Sequence, residues 1–170
     1  MKYGEMVKMA EKIFPIWKTI KLGTGLKTAD DFRQVLKKAG CKIGNWGNDI
    51  LGKSVFTASE TEIEVDLVNV SVAELGFKDG ATRRDIYERA LELGLGLCHA
   101  EVSPQLRLQY KDQPMGEWLL IGMEPISNSD GLLGVFIVGR SGSGFWLDGI
   151  DGDPDSFWNG SRRWVFARRK

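Results

Sequence analysis

The chain has 170 residues, 42% of them hydrophobic and 27% charged, and its 23 basic and 23 acidic side chains balance to a formal net charge of zero. This length suits one domain that buries about 70% of its unfolded surface, so the fold needs neither a disulfide framework nor a structural metal. No apolar run reaches the roughly 18 residues that a membrane span needs, and two distant cysteines outside any CxxC pattern, Cys41 and Cys98, are typical of reduced thiols in a cytoplasmic protein.

Helix and strand signals alternate through the first 60 residues. Residues 5–14 repeat apolar side chains at helical spacing up to a proline, which predicts an N-terminal helix within residues 1–15 that could lie at the periphery. Residues 16–22 alternate as a strand does. A second helix at residues 28–39 opens on a near capping box, and residues 46–51 predict a short helical turn.

The middle of the chain continues the alternation of strands and helices. In residues 61–72, apolar side chains hold one parity up to Leu67 and the other parity beyond it, which indicates a bulge or a strand buried on both faces. Residues 82–93 predict a helix with a fully apolar inward stripe. A short buried strand at residues 95–100 and a two-turn helix at residues 103–110 follow.

From residue 117 onward the pattern is that of strands separated by turns. The predicted strands are residues 118–123, 132–138, 145–147 and 164–167. Residues 128–131 predict a hairpin, and the glycine-rich residues 139–144 predict a turn, since a phosphate-binding loop would be followed by a helix. The expected fold is a single α+β domain over residues 1–170: a mainly antiparallel sheet with three to four helices on one face and a C-terminal β-meander.

Four stretches carry a resemblance to a known family: FPIWKTIKLGTGLKTADDF, GFKDGATRRDIYERALELGL, PQLRLQYKDQPMGEWLL and RRWVFARRK. They are similar to a family of uncharacterised bacterial proteins found mostly in genomes of uncultured lineages, and the likeness covers residues 16–170. The resemblance implies no activity, because none is assigned to that family. The family pattern often has proline at the position of His99, which argues against a catalytic role for this histidine.

A thiol, an imidazole and a carboxylate lie within four residues at Cys98, His99 and Glu101. Together with Glu124 they are the candidate catalytic residues, because a cysteine nucleophile needs a base and an oriented imidazole. Neighbours along a strand point to opposite faces, so Cys98 and His99 cannot easily face each other. The pattern therefore favours a buried structural thiol and a histidine at the rim. Arg107 is a candidate for a buried ion pair near Glu101 and Glu124, and a structural role is the favoured interpretation.

Asp151, Asp153 and Asp155 are candidate metal ligands, because carboxylates at alternate positions resemble the first half of a calcium loop. The frame then fails, since Ser156 stands where the loop needs glycine and Arg162 stands where it needs a bidentate glutamate. A solvated acidic loop is the favoured interpretation, and no cofactor is predicted.

Trp146 and Trp158 lie beside loops, with Asp148 and Arg162 near them in the sequence. Tryptophans flanked by polar groups suit sugars or nucleobases, because the rings stack and the polar groups bind hydroxyls or base edges. These four residues are the candidate ligand-binding set. In the loop at residues 148–160, Phe157 is expected to plug the core and Trp158 to be the more exposed ring.

Charge is distributed unevenly: residues 111–160 hold 2 cations against 8 anions, and the last ten residues hold five cations and no anion. The basic end is expected to pair with the acidic segment, and overall neutrality argues against a nucleic-acid partner. The favoured function is a non-catalytic intracellular binding domain for a small molecule, a sugar or a protein, with an aromatic and acidic contact surface near residues 145–160. The alternative is a small hydrolase or transferase that uses Cys98, His99, Glu101 or Glu124.

Overall fold

The computed structural model of the chain describes residues 2–5 and 14–169. Its helices are α1 (Ala29–Lys38), α2 (Asn45–Leu51), α3 (Arg83–Glu92) and α4 (Val102–Gln109). Its strands are β1 (Lys18–Leu22), β2 (Lys42–Ile43), β3 (Ile63–Ser71), β4 (Ala81–Thr82), β5 (Leu95–Gly96), β6 (Trp118–Ile121), β7 (Ile126–Ser127), β8 (Leu133–Ser141), β9 (Gly144–Asp151), β10 (Phe157–Trp158) and β11 (Arg163–Arg168). Residues 3–5 are helical as well, so the described residues hold five helical segments, whereas three to four helices were predicted. The rest of the predicted N-terminal helix lies outside the described residues.

Nine strands form one mixed sheet in the order β1–β3–β11–β6–β8–β9–β2, with β5 beside β11 and β7 beside β8. The prediction of a mainly antiparallel sheet is only partly right, because β11 runs parallel to β6, and β2 runs parallel to β9. The predicted C-terminal meander is only partly right. Strands β6, β8 and β9 do lie side by side, but β10 pairs with β4 in a separate ribbon, and β11 returns to lie between β3 and β6.

Helices pack on both faces of the sheet, which corrects the predicted one-sided arrangement. On one face, Phe136 of β8 meets Phe56, and Phe56 meets Phe32 of α1, through edge-to-face ring contacts. On the other face, Tyr87 of α3 packs against Trp164 of β11. Trp164 is aligned with Leu120 of β6, and Leu120 is aligned with Ile137 of β8, the residue that follows Phe136. Adjacent strand residues point to opposite sides, so the two clusters lie on opposite faces.

Strand β3 shows why its apolar side chains change parity at Leu67. Its register is continuous: residues 63–67 pair with β1 and residues 67–71 pair with β11. Val70 is aligned with Trp164 and is buried, as is Leu67. The strand is therefore buried on different faces along its length, and no bulge is needed. Four predicted strand regions, 61–72, 95–100, 117–124 and 132–138, do contribute to one sheet, as expected.

Local helix signals that can be read in the sequence are present in the structure. Thr28 and Asp31 form a reciprocal capping box, in which each side chain accepts a hydrogen bond from the other residue's backbone N–H. The Thr82 hydroxyl accepts from the backbone of Asp85 at the start of α3, and Gly52 ends α2. Each cap satisfies backbone groups that a helix end leaves without an intrahelical partner.

The charged C-terminal strand does not pair with the acidic segment as predicted. Arg163 forms its ion pair with Glu74, with 3.2 Å between Nη2 and Oε1. Asp155 of the acidic segment pairs instead with Arg84 at the start of α3, with 2.9 Å between Nη1 and Oδ1. These pairings follow the sheet order, because β11 lies beside β3 and the 152–156 loop lies against α3.

The predicted roles of Phe157 and Trp158 are reversed. Phe157 is 62% exposed, whereas the half-buried Trp158 ring packs edge to face on Trp164 with 6.1 Å between centroids. Pairing of β10 with β4 decides the orientation, because it turns the Trp158 side of the ribbon toward the core. The two side chains do point to opposite sides, as predicted. Which of them faces the core depends on the pairing of Phe157 with Thr82, more than 70 positions away in the sequence.

We expect Trp158→Ala to lower the free energy of unfolding by about 2 kcal/mol or more, because it removes a packed ring, and Phe157→Ala to lower it by about 1 kcal/mol or less. Chemical denaturation of both variants beside the parent chain measures the difference. A larger loss for Phe157→Ala would contradict this assignment.

Candidate functional site

Three chain segments wall a groove of about 300 Å³: residues 55–57, 98–100 and 124–126. They meet because the chain after β5 runs alongside the chain after β6, with the Cys98 backbone N–H donating to the Gly122 carbonyl oxygen at 2.7 Å. The groove is lined by Val55, Thr57, Cys98, His99, Ala100, Glu124, Pro125 and Ile126. A smaller pocket of about 160 Å³, which contains Glu101, shares Thr57 and His99 with it. The structure thus brings the four candidate catalytic residues to one region.

Cys98 lies in the groove wall as a buried thiol. Its Sγ is 3.6 Å from the Val165 carbonyl oxygen, to which the S–H donates. Burial raises the pKa of the Cys98 thiol to about 12. The thiolate is the nucleophilic form of cysteine, so this thiol is unsuited to nucleophilic catalysis near neutral pH. Both cysteines are free, as predicted.

Glu101 is buried, and its carboxylate is used to hold the backbone of two loops. Oε2 accepts from the Gly23 N–H at 2.9 Å and from the Gln105 side-chain amide at 3.0 Å, and Oε1 accepts from the Ser59 N–H at 2.7 Å. A buried carboxylate needs such donors in place of water. Glu101 therefore positions the loop that walls the groove, and three hydrogen bonds already occupy its oxygens.

Two glutamines extend this arrangement along one side of α4. Gln105 and Gln109 follow Glu101 at spacings of four, and the Gln109 amide nitrogen donates to Gln105 Oε1 at 3.1 Å. The same Gln109 side chain accepts from the Lys21 N–H and donates to the Lys21 carbonyl oxygen, as a neighbouring strand would. Sequence reasoning missed this set; the signal was a polar residue at every fourth position along one side of the helix.

Arg107, on the same helix, is buried and takes part in none of the ion pairs among the described residues, so the candidate pairing with Glu101 or Glu124 does not form. Its guanidinium donates to Gln113 Oε1 and to the carbonyl oxygens of Gly139, Tyr110 and Trp146, at 2.7 to 3.3 Å. Burial lowers the pKa of Arg107. The side chain is a structural centre that ties α4 to β8 and β9.

His99 and Glu124 are the two candidates that remain available in the groove. Both side chains are exposed, and within the described residues neither takes part in a side-chain hydrogen bond or an ion pair. Thr57, which lies on the facing wall, shares this property. The groove therefore presents an imidazole, a carboxylate and a hydroxyl without the nucleophile that a cysteine enzyme would need.

The predicted ligand-binding set is split between different places. The Trp146 indole N–H donates to the Ser141 and Ser143 hydroxyl oxygens at the β8–β9 turn. Asp148 accepts from the Gly47 N–H at 3.1 Å and so helps to hold α2 against β9. Both residues have structural contacts where the sequence suggested ligand contacts.

Trp158 and Arg162, the other half of that set, lie together. The Arg162 guanidinium stands over the Trp158 ring, 5.2 Å from its centroid, and burial lowers the pKa of Arg162. Arg162 also lines a hollow of about 270 Å³ together with Gly116, Glu117, Trp118, Ser161 and Arg163. None of the ion pairs among the described residues includes Arg162. Trp118 was missed by sequence reasoning, because its position beside β11 depends on the parallel β6–β11 pairing.

Among the described residues, Glu117 is the one carboxylate that lines this hollow, and its Oε1 accepts two hydrogen bonds. It accepts from the Tyr110 hydroxyl at 2.9 Å and from the Gln113 amide at 3.2 Å. The hollow therefore combines a half-buried guanidinium with the indole of Trp118. The Trp118 ring packs directly on the backbone of Gly139, in space that the Cβ of any other residue at position 139 would occupy. Its character is aromatic and cationic, whereas the sequence predicted an aromatic and acidic surface.

The acidic loop that resembled a calcium site is organised by local turns. Asp151 accepts from the Asp153 N–H and the Ser156 hydroxyl, and Asp153 accepts from the Asp155 N–H. Among residues 2–5 and 14–169, no group of three or more His, Cys, Asp or Glu side chains is placed to hold a metal ion. The structure thus gives no support to the candidate metal ligands Asp151, Asp153 and Asp155.

No protein-family model, curated protein or solved structure matches the chain. The resemblance to uncharacterised bacterial proteins therefore stays a prediction. In the part of the chain that the structure describes, no helix has the length and apolar character to cross a membrane.

We expect Cys98 to resist alkylation in the folded protein, since its thiol is buried and its pKa is raised. Iodoacetamide at neutral pH, followed by mass spectrometry of a Cys41→Ser variant, should give no adduct in buffer and one adduct in denaturant. Rapid modification of the folded variant would contradict the assignment and favour the enzyme alternative.

Glu101→Gln should lower the free energy of unfolding by about 2–3 kcal/mol, because an amide group would turn a donor toward backbone N–H groups that now have an acceptor. Glu88→Gln is the matched control, since Glu88 is exposed on α3; we expect a change within about 0.5 kcal/mol. Equal effects in urea denaturation of the two variants would show that the Glu101 hydrogen bonds contribute little.

Proposed function

We propose that the protein is a non-catalytic binding domain whose contact surface is the hollow between Trp118 and Arg162. The observation that carries this proposal is the half-buried Arg162 guanidinium, which lies on the Trp158 ring, lines the hollow and has no carboxylate partner among the described residues. An arginine held in this way is pre-organised, because the ring restricts its orientation before any ligand arrives.

The chemistry of the hollow favours an anionic ligand that carries a planar group. A guanidinium binds carboxylate or phosphate oxygens through parallel hydrogen bonds, and it gains strength when partly removed from water. The Trp118 indole offers an apolar ring surface within the same hollow. The Trp158 ring packs against the Arg162 guanidinium and is not part of the lining of the hollow. In this proposal it orients Arg162, whereas the sequence suggested that it contacts the ligand directly.

The enzyme alternative has weaker support. Cys98 is buried with a raised pKa, and the Glu101 oxygens are occupied by three hydrogen bonds. His99 and Glu124 alone do not provide a nucleophile with an activating base. A cytoplasmic location is part of the proposal and is supported by two free thiols, which persist in reducing compartments.

The proposal predicts that AMP, which has a phosphate and a planar base, binds more tightly than adenosine or inorganic phosphate. We expect Arg162→Ala to weaken AMP binding by about tenfold or more, because a charge-assisted contact contributes about 1.5–3 kcal/mol. Intrinsic tryptophan fluorescence and calorimetry on the full chain measure the affinities. Arg33→Ala is the control, since Arg33 lies on α1 and is not part of the hollow.

Equal affinities of the parent chain for AMP and adenosine would contradict the proposal that the ligand must be an anion. An equal loss of affinity in the Arg162 and Arg33 variants would remove the role of this hollow. A phenyl phosphate titration separates a general planar anion from a nucleotide, since it keeps the phosphate and a ring but lacks the base and the sugar.

A further inference from the structure

The groove beside His99 is chemically different from the Arg162 hollow. Its side chains form a mixed surface: exposed Val55 and the partly or fully buried Ala100, Pro125 and Ile126 are apolar, and Thr57, His99 and Glu124 are polar. Val55 is 67% exposed, so its methyl groups offer an accessible apolar surface in the groove wall. At about 300 Å³ the groove is at the small end of the roughly 300–1,000 Å³ that ligand pockets span.

The charge of the groove points to a cation. Among the described residues, no lysine or arginine lines the groove or the adjoining pocket, while each contains one glutamate. Glu101 in the pocket is already satisfied by three donors. Glu124 in the groove accepts no hydrogen bond from the described part of the chain, so its carboxylate can accept from a ligand.

The cation that fits is organic. A metal ion would need several converging ligands, and no suitable group of three is present in the described residues. An ammonium group needs fewer fixed partners, because it donates hydrogen bonds to whatever acceptors surround it. The Glu124 carboxylate and the Thr57 hydroxyl can supply these acceptors, and the His99 ring lies in the same groove.

The apolar walls define the rest of the ligand. Val55, Pro125 and Ile126 are placed to contact a short aliphatic stem, and the groove continues past Thr57 and His99 into the pocket lined by Leu22 and Ile63. We propose that this groove binds a primary ammonium group carried on an aliphatic stem, with Glu124 as the charge partner. Burial of the stem contributes affinity in proportion to its apolar area, and the carboxylate selects the charge.

The test compares three six-carbon probes that differ in the head group: hexylamine, 1-hexanol and hexanoate. Titrations of the full-length ¹⁵N-labelled protein near neutral pH are followed by amide chemical shifts. Hexylamine should bind most tightly and shift residues 55–59, 98–101 and 124–126, while hexanoate should bind most weakly. Preferential or equal binding of hexanoate would overturn the proposal.

Two variants separate the charge from the stem. Glu124→Gln should weaken hexylamine binding by about fivefold, which is the effect of losing one exposed ion pair, and should leave 1-hexanol binding unchanged. Val55→Ser should weaken both probes. Glu88→Gln is the matched control and should change neither. Since Glu124 and Val55 are exposed, these variants should keep the parent unfolding midpoint; an unchanged hexylamine affinity in folded Glu124→Gln would overturn the proposal.

Discussion

The two buried charges carried by α4 are the constraint on which the rest of the structure depends. This helix lies in the interior and carries an anion, Glu101, at its start and a cation, Arg107, in its last turn, yet the two are not paired with each other. Removing either charge from water is costly unless dipoles replace the lost hydration. Three donors surround the carboxylate, and four acceptors surround the guanidinium. The surrounding loops and strands take their positions from these contacts.

Each buried charge organises a different part of the fold. Glu101 holds the Gly23 and Ser59 backbones, so it fixes the connection after β1 and the loop that walls the groove. Arg107 binds carbonyl groups of β8 and β9 and the Gln113 side chain, which in turn donates to Glu117. Through Glu117 the same network reaches the edge of the Arg162 hollow. Both proposed binding regions thus rest on α4, although neither uses a buried residue of α4 as its ligand contact.

The two proposed sites have complementary electrostatic preferences on a chain without net charge. In the hollow, a guanidinium that has no carboxylate partner among residues 2–5 and 14–169 favours an anion. In the groove, a carboxylate that no cation of those same residues pairs with favours an ammonium group. Local arrangement decides both preferences, because charged side chains from different regions of the sequence pair with each other, as Arg163 does with Glu74 and Arg84 does with Asp155. Regional charge sums therefore say little about which surface meets which ligand.

Short-range patterns in the sequence determined the features that depend on near neighbours. The Thr28 capping box, the Thr82 cap, the hairpin at Asn128 and the burial of Ile86 and Ala90 all follow from spacings of a few residues. Tertiary structure alone decided the features that depend on distant partners. Strand β11 returns to lie between β3 and β6, helices pack on both faces of the sheet, and the β4–β10 pairing set which of Phe157 and Trp158 is buried. Two of the three donors around Glu101 come from positions 42 and 78 residues away. A side chain's type limits the chemistry that it can perform, but its availability depends on which distant groups already occupy it, and those contacts form only when the chain folds.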